Sequence, residues 1–204
     1  MQKTRNVELD IVDAARRVFQ VKGYKEATMR DIASEANINM AMLHYYYRSK
    51  DNLFFLVFDE SFRILYEKVA TNISNPDIDI FEKIKMITNA YLSFFNYNPY
   101  VPPFVVGEII RNPEKIGKRL HEIMNPLNTF QAFAEQLQKE CDKGTIRQIS
   151  AITLHLNTLS LCIFPAISRP VLQEVLNFDS ATMDAHLEAR KNELADFIIN
   201  AIKI

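Results

Sequence analysis

An all-α fold is expected from composition, from punctuation and from periodicity. The 204 residues hold only 4 glycines and 8 prolines among many Ala, Leu, Ile, Lys and Glu, a mixture that favours helices joined by short connections. Capping residues such as Thr28, Asn39 and Ser49 stand directly before stretches whose apolar residues recur every three or four positions. With 48% hydrophobic residues, the chain can bury a substantial core as one domain or two small ones.

Val7, Ile11, Ala14, Ala15, Val18 and Phe19 share one face of a first helix that stops at Gly23. Thr28 opens a shorter second helix. Asp31, three residues on, completes a capping-box-like start, and Ile32, Ala33 and Ala36 supply the inward side. Asparagine tolerates the left-handed conformation, so Asn37 turns the chain before Asn39 caps a third helix, roughly Met40 to Tyr46. Ser49 caps a long fourth helix to about Ile73, with Asp51 in its first turn. A boundary falls in SNPDID. Beyond it, helices are expected at Ile80 to Tyr97, Phe104 to Arg111, Pro113 to Lys143 with an interruption at Pro126, Ile149 to Phe164, and Met183 to Ile202.

Net charge is −1, which is no mark of a polyanion-binding protein. Its distribution is more informative: residues 1 to 52 carry 9 Lys and Arg against 7 Asp and Glu, and the remainder 15 against 18. The N-terminal segment is thus the part suited to an anionic partner. Cys141 and Cys162 are isolated, so neither a zinc site nor a disulfide framework is suggested, and a reducing, cytoplasmic setting fits. No hydrophobic signal segment opens the chain. The uncharged run Ile149 to Ile167 approaches membrane length, but His155, Asn157 and Pro165 favour a buried or subunit-interface helix, and no membrane partner is expected. The histidines show no HExxH, and GxSxG and glycine-rich phosphate loops are absent. An enzyme, a cofactor and a metal are therefore not expected. The rival readings are a helical enzyme whose catalytic groups assemble only in space, and an interaction module without specific DNA binding.

The second and third helices have the dimensions of a helix-turn-helix, held together by Ala33, Ile38 and Leu43. A major groove accepts one α-helix, so the third must project while the second braces it. The residue order Ala15, Phe19, Gly23, Tyr24, Thr28, Arg30, Ile32, Ala33, Ala36, Ile38, Leu43, Tyr45 to Tyr47, Ser49, Lys50 and Leu53 resembles the tetracycline-repressor (TetR) family of bacterial regulators. The resemblance covers about a quarter of the chain and rests on many spacings agreeing together. A later stretch, GEIIRNPE, is similar to segments of some members.

The resemblance implies an N-terminal three-helix DNA-binding domain, residues 1–50, followed by a helical bundle for ligand binding and dimerisation, residues 51–204, with 51–73 as connecting helix. It implies a dimer on a palindromic double-stranded DNA operator, probed at DNA-facing positions Thr28, Arg30, Asn39, Met40, Met42, His44, Tyr45, Tyr46 and Lys50. Arg30 suits bidentate pairing with guanine or a phosphate contact, and Thr28, Tyr45, Tyr46 and Lys50 suit phosphate oxygens. Asn39, Met40, Ala41 and Met42 depart from the polar or glycine residues common there in the family. Direct readout is therefore expected on Arg30, Asn39 and His44, with the methionines packing on thymine methyls. Tyr47, four residues after Leu43, is expected to face inward.

Nine of the 22 aromatic residues lie between Phe81 and Phe133. Among them Phe94, Phe104, Phe130 and Phe133 are expected to line an apolar pocket, with Glu108 and His155 orienting the polar end of an unknown small-molecule effector that is apolar or amphipathic. The last two long helices, about 149–164 and 183–202, carry more apolar surface than a lone bundle needs, and the resemblance assigns them to a homodimer interface. The function expected is a repressor whose connecting helix transmits ligand binding to the DNA-reading head.

Overall fold

Each helix of the N-terminal third begins where its own side chains can satisfy the first free amides. A computed structural model describes residues 6–124 and 127–204. α1 (Val7–Glu26) is capped by Asn6 and is broken at Gly23, whose φ of 69° lies in the left-handed region that glycine enters without steric cost. α2 (Met29–Glu35) opens on a complete capping box: the Thr28 hydroxyl accepts from the Asp31 amide at 3.1 Å, and the Asp31 carboxylate accepts from the Thr28 amide at 3.0 Å. Asn37 makes the turn at φ 53°. Asn39 then caps α3 (Met40–Tyr46) and Ser49 caps α4 (Lys50–Ser74). Ile11, Phe19, Ile32, Leu43, Leu53 and Phe54 are fully buried and tie these four helices into one core.

The remaining helices are α5 (Ile80–Tyr97), α6 (Val101–Arg111), α7 (Pro113–Met124), α8 (Leu127–Asp142), α9 (Ala151–Leu176) and α10 (Ser180–Ile202). α5 is the central rod and packs against α4, α8, α9 and α10. The chain end is pinned to the α8–α9 connection, where the Arg147 amide donates to the Ile202 carbonyl and the Ile204 amide to the Thr145 carbonyl.

Two proline-based expectations are corrected. α6 starts at Val101, not Phe104, because amides in the first helical turn have no intrahelical acceptor, so Pro102 and Pro103 sacrifice nothing there. α9 does not end at Phe164 but continues through Pro165 and Pro170 to Leu176. Pro165 lacks the amide that would bond the Leu161 carbonyl. The Arg190 guanidinium, from α10, donates to that carbonyl at 3.1 Å instead. α9 ends at Asn177, left-handed at φ 52°. α10 also starts earlier than expected, at Ser180, capped by Asp179. The interruption expected at Pro126 lies outside the described residues.

Candidate nucleic-acid interface and ligand cavity

α3 divides into a supporting side and a presented side. Leu43 is fully buried, Tyr47 is buried with its hydroxyl directed at Glu8, and Met40 is half-buried against the core. Met42, His44, Tyr45 and Tyr46 are exposed, and Tyr45 at 83% is nearly free of the protein. The Tyr45 and Tyr46 rings meet edge to face at 5.3 Å, so each steadies the other. Arg30 is exposed beside this surface with no hydrogen-bond or ion-pair partner among the described residues. Arg48 is exposed in the same way just past α3 and was not among the positions expected to face DNA. Its place in the HYYYRSK run is the signal that could have found it.

Three expected DNA-facing groups already have intramolecular work. The Thr28 hydroxyl donates to Asp31 at 2.8 Å, and Asp31 is held down to about 2 by hydrogen bonds from Lys22 first and Thr28 next. The Asn39 side-chain oxygen accepts the Met42 amide at 2.8 Å, which fixes the side chain and leaves its NH2 group free to donate. Lys50 is a correction. Its ammonium donates to the carbonyls of Tyr24 at 2.8 Å and Ala27 at 2.9 Å, and it lies 4.5 Å from the centre of the Tyr24 ring. These carbonyls follow the break at Gly23 and have no helical amide to accept, so Lys50 closes the end of α1 rather than offering a free charge to phosphate. Lys50→Met is expected to lower stability by about 1–3 kcal/mol, the cost of leaving such carbonyls unpaired. Thermal unfolding measures it. Unchanged stability with uniformly weakened DNA binding would return Lys50 to the phosphate role.

Below the head, Phe54 is surrounded by Phe19 at 4.9 Å, Tyr24 at 4.9 Å and Phe104 at 3.9 Å between ring centres. This cluster seats the start of α6 against α1 and α4. Tyr24 donates a short hydrogen bond to Asp51, and burial together with that bond pushes its phenol up to about 12. Farther along α4, Asp59 receives two hydrogen bonds from Arg119 of α7, each 2.5 Å. The bidentate geometry fixes α4 in orientation as well as position.

A cavity of about 300 Å³ lies between α4, α5, α8 and α9. Tyr66, Val69 and Ile73 of α4 and Ile84, Ile87 and Tyr91 of α5 face it at spacings of three, four and seven residues, a helical stripe legible in the sequence but not singled out there. Phe130 and Phe133 of α8 and Ile152, Leu154, His155 and Thr158 of α9 complete the lining. Of the residues expected to line a pocket, Phe130, Phe133 and His155 face this cavity. Phe94, Phe104 and Glu108 do not. Phe94 turns toward Phe62 and Phe95, Phe104 belongs to the head cluster, and Glu108 is buried against Arg111 at 2.8 Å. All three sit on other faces of α5 and α6. Burial lowers the His155 pKa and raises that of Tyr91. Cys162, behind this wall, is pushed up to about 12 by burial, which leaves a protonated, unreactive thiol.

The profile of the bacterial regulatory proteins, tetR family, matches residues 11–57, the segment that contains the capped second and third helices. The chain is 26% identical over 170 residues to the probable HTH-type transcriptional regulator YttP of Bacillus subtilis, covering 81% of this chain and 80% of that protein. It is likewise 26% identical over 148 residues to IcaR of Staphylococcus aureus, the negative transcriptional regulator of the biofilm operon icaADBC, covering 67% of this chain and 70% of that one. In fold it is similar to the transcriptional regulator FadR from Bacillus subtilis in complex with stearoyl-CoA, with a TM-score of 0.64, 15% identity and coverage of 94% and 97% of the two chains. Residues 11–57 thus match the tetR family of bacterial regulatory proteins, and over most of its length the chain is similar to proteins named as transcriptional regulators.

Proposed function

We propose that the chain is a ligand-responsive repressor in which residues 1–50 read DNA, residues 51–204 bind ligand and dimerise, and a small molecule in the cavity releases a palindromic operator. The observation that carries this reading is that one helix touches both ends. α4 contributes Leu53, Phe54 and Phe58 to the buried core near the head and Tyr66, Val69 and Ile73 to the cavity wall. Twenty residues of helix between Leu53 and Ile73 span about 30 Å, so a small tilt at the cavity moves the head by a larger distance. The Asp59–Arg119 bridge and the Phe54 cluster supply the contacts that differ between tilted and untilted states. The name of IcaR as a negative regulator supports repression, and FadR, crystallised with stearoyl-CoA, supports a ligand-binding body.

Dimerisation is supported by apolar side chains left on the outside. Leu156, Phe164, Val171 and Val175 follow one another down a single side of α9, and Phe197 is exposed on α10. α9 is also long and apolar enough to cross a membrane by length and composition. Its packing against α5, α6, α8 and α10 favours the core and interface role.

Operator contacts fall in this reading on Arg30, Met42, His44, Tyr45 and Tyr46, with the Asn39 amide and Arg48 beside them. The test is to sequence DNA fragments selected by the purified protein and to titrate candidate effectors into the complex. A palindrome with half-sites one helical turn apart is expected. Arg30→Ala is expected to weaken the selected site about tenfold and to relax one base position, as loss of a bidentate base contact does. A uniform loss over all sequences would move Arg30 to the phosphate backbone.

A further inference from the structure

We propose that the cavity takes an uncharged lipophilic molecule with one hydrogen-bonding end, and that Tyr91 and His155 select it; this rests on the reading of the cavity as the effector site. Among the described lining residues there is no Asp, Glu, Lys or Arg. The buried ammonium of Lys83 on α5 is turned aside, donating to the Ile73 carbonyl and the Gln136 side-chain oxygen at 2.5 Å each. Thr158 directs its hydroxyl proton to the Leu154 carbonyl at 2.8 Å.

Tyr91 and His155 are different. Both line the cavity, their rings lie 6.1 Å apart, and the Phe130 ring lies 6.2 Å from that of His155. Neither the Tyr91 hydroxyl nor either ring nitrogen of His155 has a hydrogen-bond partner among the described residues. Both residues are half-buried, on α5 and α9, so their polar atoms are free to meet a molecule in an otherwise apolar cavity, and together they define what its polar end must offer. Burial keeps the imidazole neutral and the phenol protonated, which leaves two donors and one ring-nitrogen acceptor side by side. An alcohol, carbonyl or amide end satisfies them. A carboxylate or an ammonium would enter an apolar space with no counter-charge, at a far higher desolvation cost. The volume of about 300 Å³ is at the small end for ligand sites, suiting a medium-length chain or a single ring system.

The experiment is calorimetric titration of the full chain with decanol, chlorodecane, decanoate and decyltrimethylammonium, repeated on Tyr91→Phe and His155→Leu. Decanol is expected to bind tightest, with both ions roughly tenfold or more weaker. Each variant is expected to weaken decanol about fivefold, the worth of one ordinary hydrogen bond, while leaving chlorodecane unchanged. Equal or tighter binding of either ion overturns the neutral-ligand inference and leaves the cavity reading intact. Parallel losses for decanol and chlorodecane overturn the selecting role of Tyr91 and His155. Failure of all four probes to bind overturns the cavity as a lipophile site, and with it the reading on which the inference rests.

Discussion

Replacing Phe164 and Phe197 together by aspartate is expected to convert a dimer into a monomer and to weaken operator binding by roughly a hundredfold or more. In the single chain Phe164 is 63% exposed on α9 and Phe197 62% exposed on α10. Burying a phenylalanine side chain contributes about 1.5–3 kcal/mol. In a two-fold interface each substitution acts twice, and an aspartate brings a charge that must be stripped of water. The DNA consequence is larger than the loss of contact area suggests. Two heads on one dimer bind as a linked pair, and unlinking them forfeits the effective concentration that raises avidity by about 10²–10⁴. Both positions are solvent-exposed in the chain, so helix content and unfolding of the monomer should change little. Sedimentation at several concentrations and operator titration read the two effects. A double variant that still dimerises and still binds operator would refute the interface assigned to α9 and α10.

Phe54→Ala is expected to lower stability by about 3–5 kcal/mol, the range for truncating a buried ring, with a fall in Tm on the order of 10 °C. Phe54 is fully buried, and Phe19, Tyr24, Tyr100 and Phe104 surround it with ring centres between 3.9 and 5.9 Å away. Those neighbours come from α1, α6 and the connection before α6, so the cavity left by alanine lies at the junction of the head with the helices below. Rigid rings from different helices cannot collapse into it together, which places the cost at the upper part of the range. Phe54→Leu is expected to recover most of the stability, because it restores volume, while losing the edge-to-face geometry. Its ligand-induced change in operator affinity should then be smaller than in the unaltered protein. A stability loss under about 1 kcal/mol in Phe54→Ala would contradict the packing described.

Thr28, Asn39 and Ser49 were legible as helix starts because a cap reaches only two or three residues along the chain, and their bonds close within that distance. Gly23 and Asn37 were legible for the same reason: the conformation each adopts is a property of its own backbone. The inward turn of Leu43 and Tyr47 followed from a four-residue spacing. With these signals in place, the reading head stood in the residue order nearly complete.

The chain order did not disclose where bonds between distant residues go. Lys50 follows a basic and aromatic run that suits phosphate, yet its acceptors are carbonyls 23 and 26 residues earlier. Pro165 is a stop signal by local rules, yet Arg190, on another helix, takes the carbonyl that the proline leaves open. Phe104 and Tyr91 are both aromatic residues in apolar helices, but only the packing of α6 on the head and of α5 on α9 sends one to the junction and the other to the cavity. Helix identity, caps and the presented side of α3 arise from interactions within one or two turns, and the order of residues suffices for them. Which polar groups are consumed inside the protein, and which remain free for DNA or ligand, depends on partners brought together from far along the chain, and that was decided by the tertiary structure.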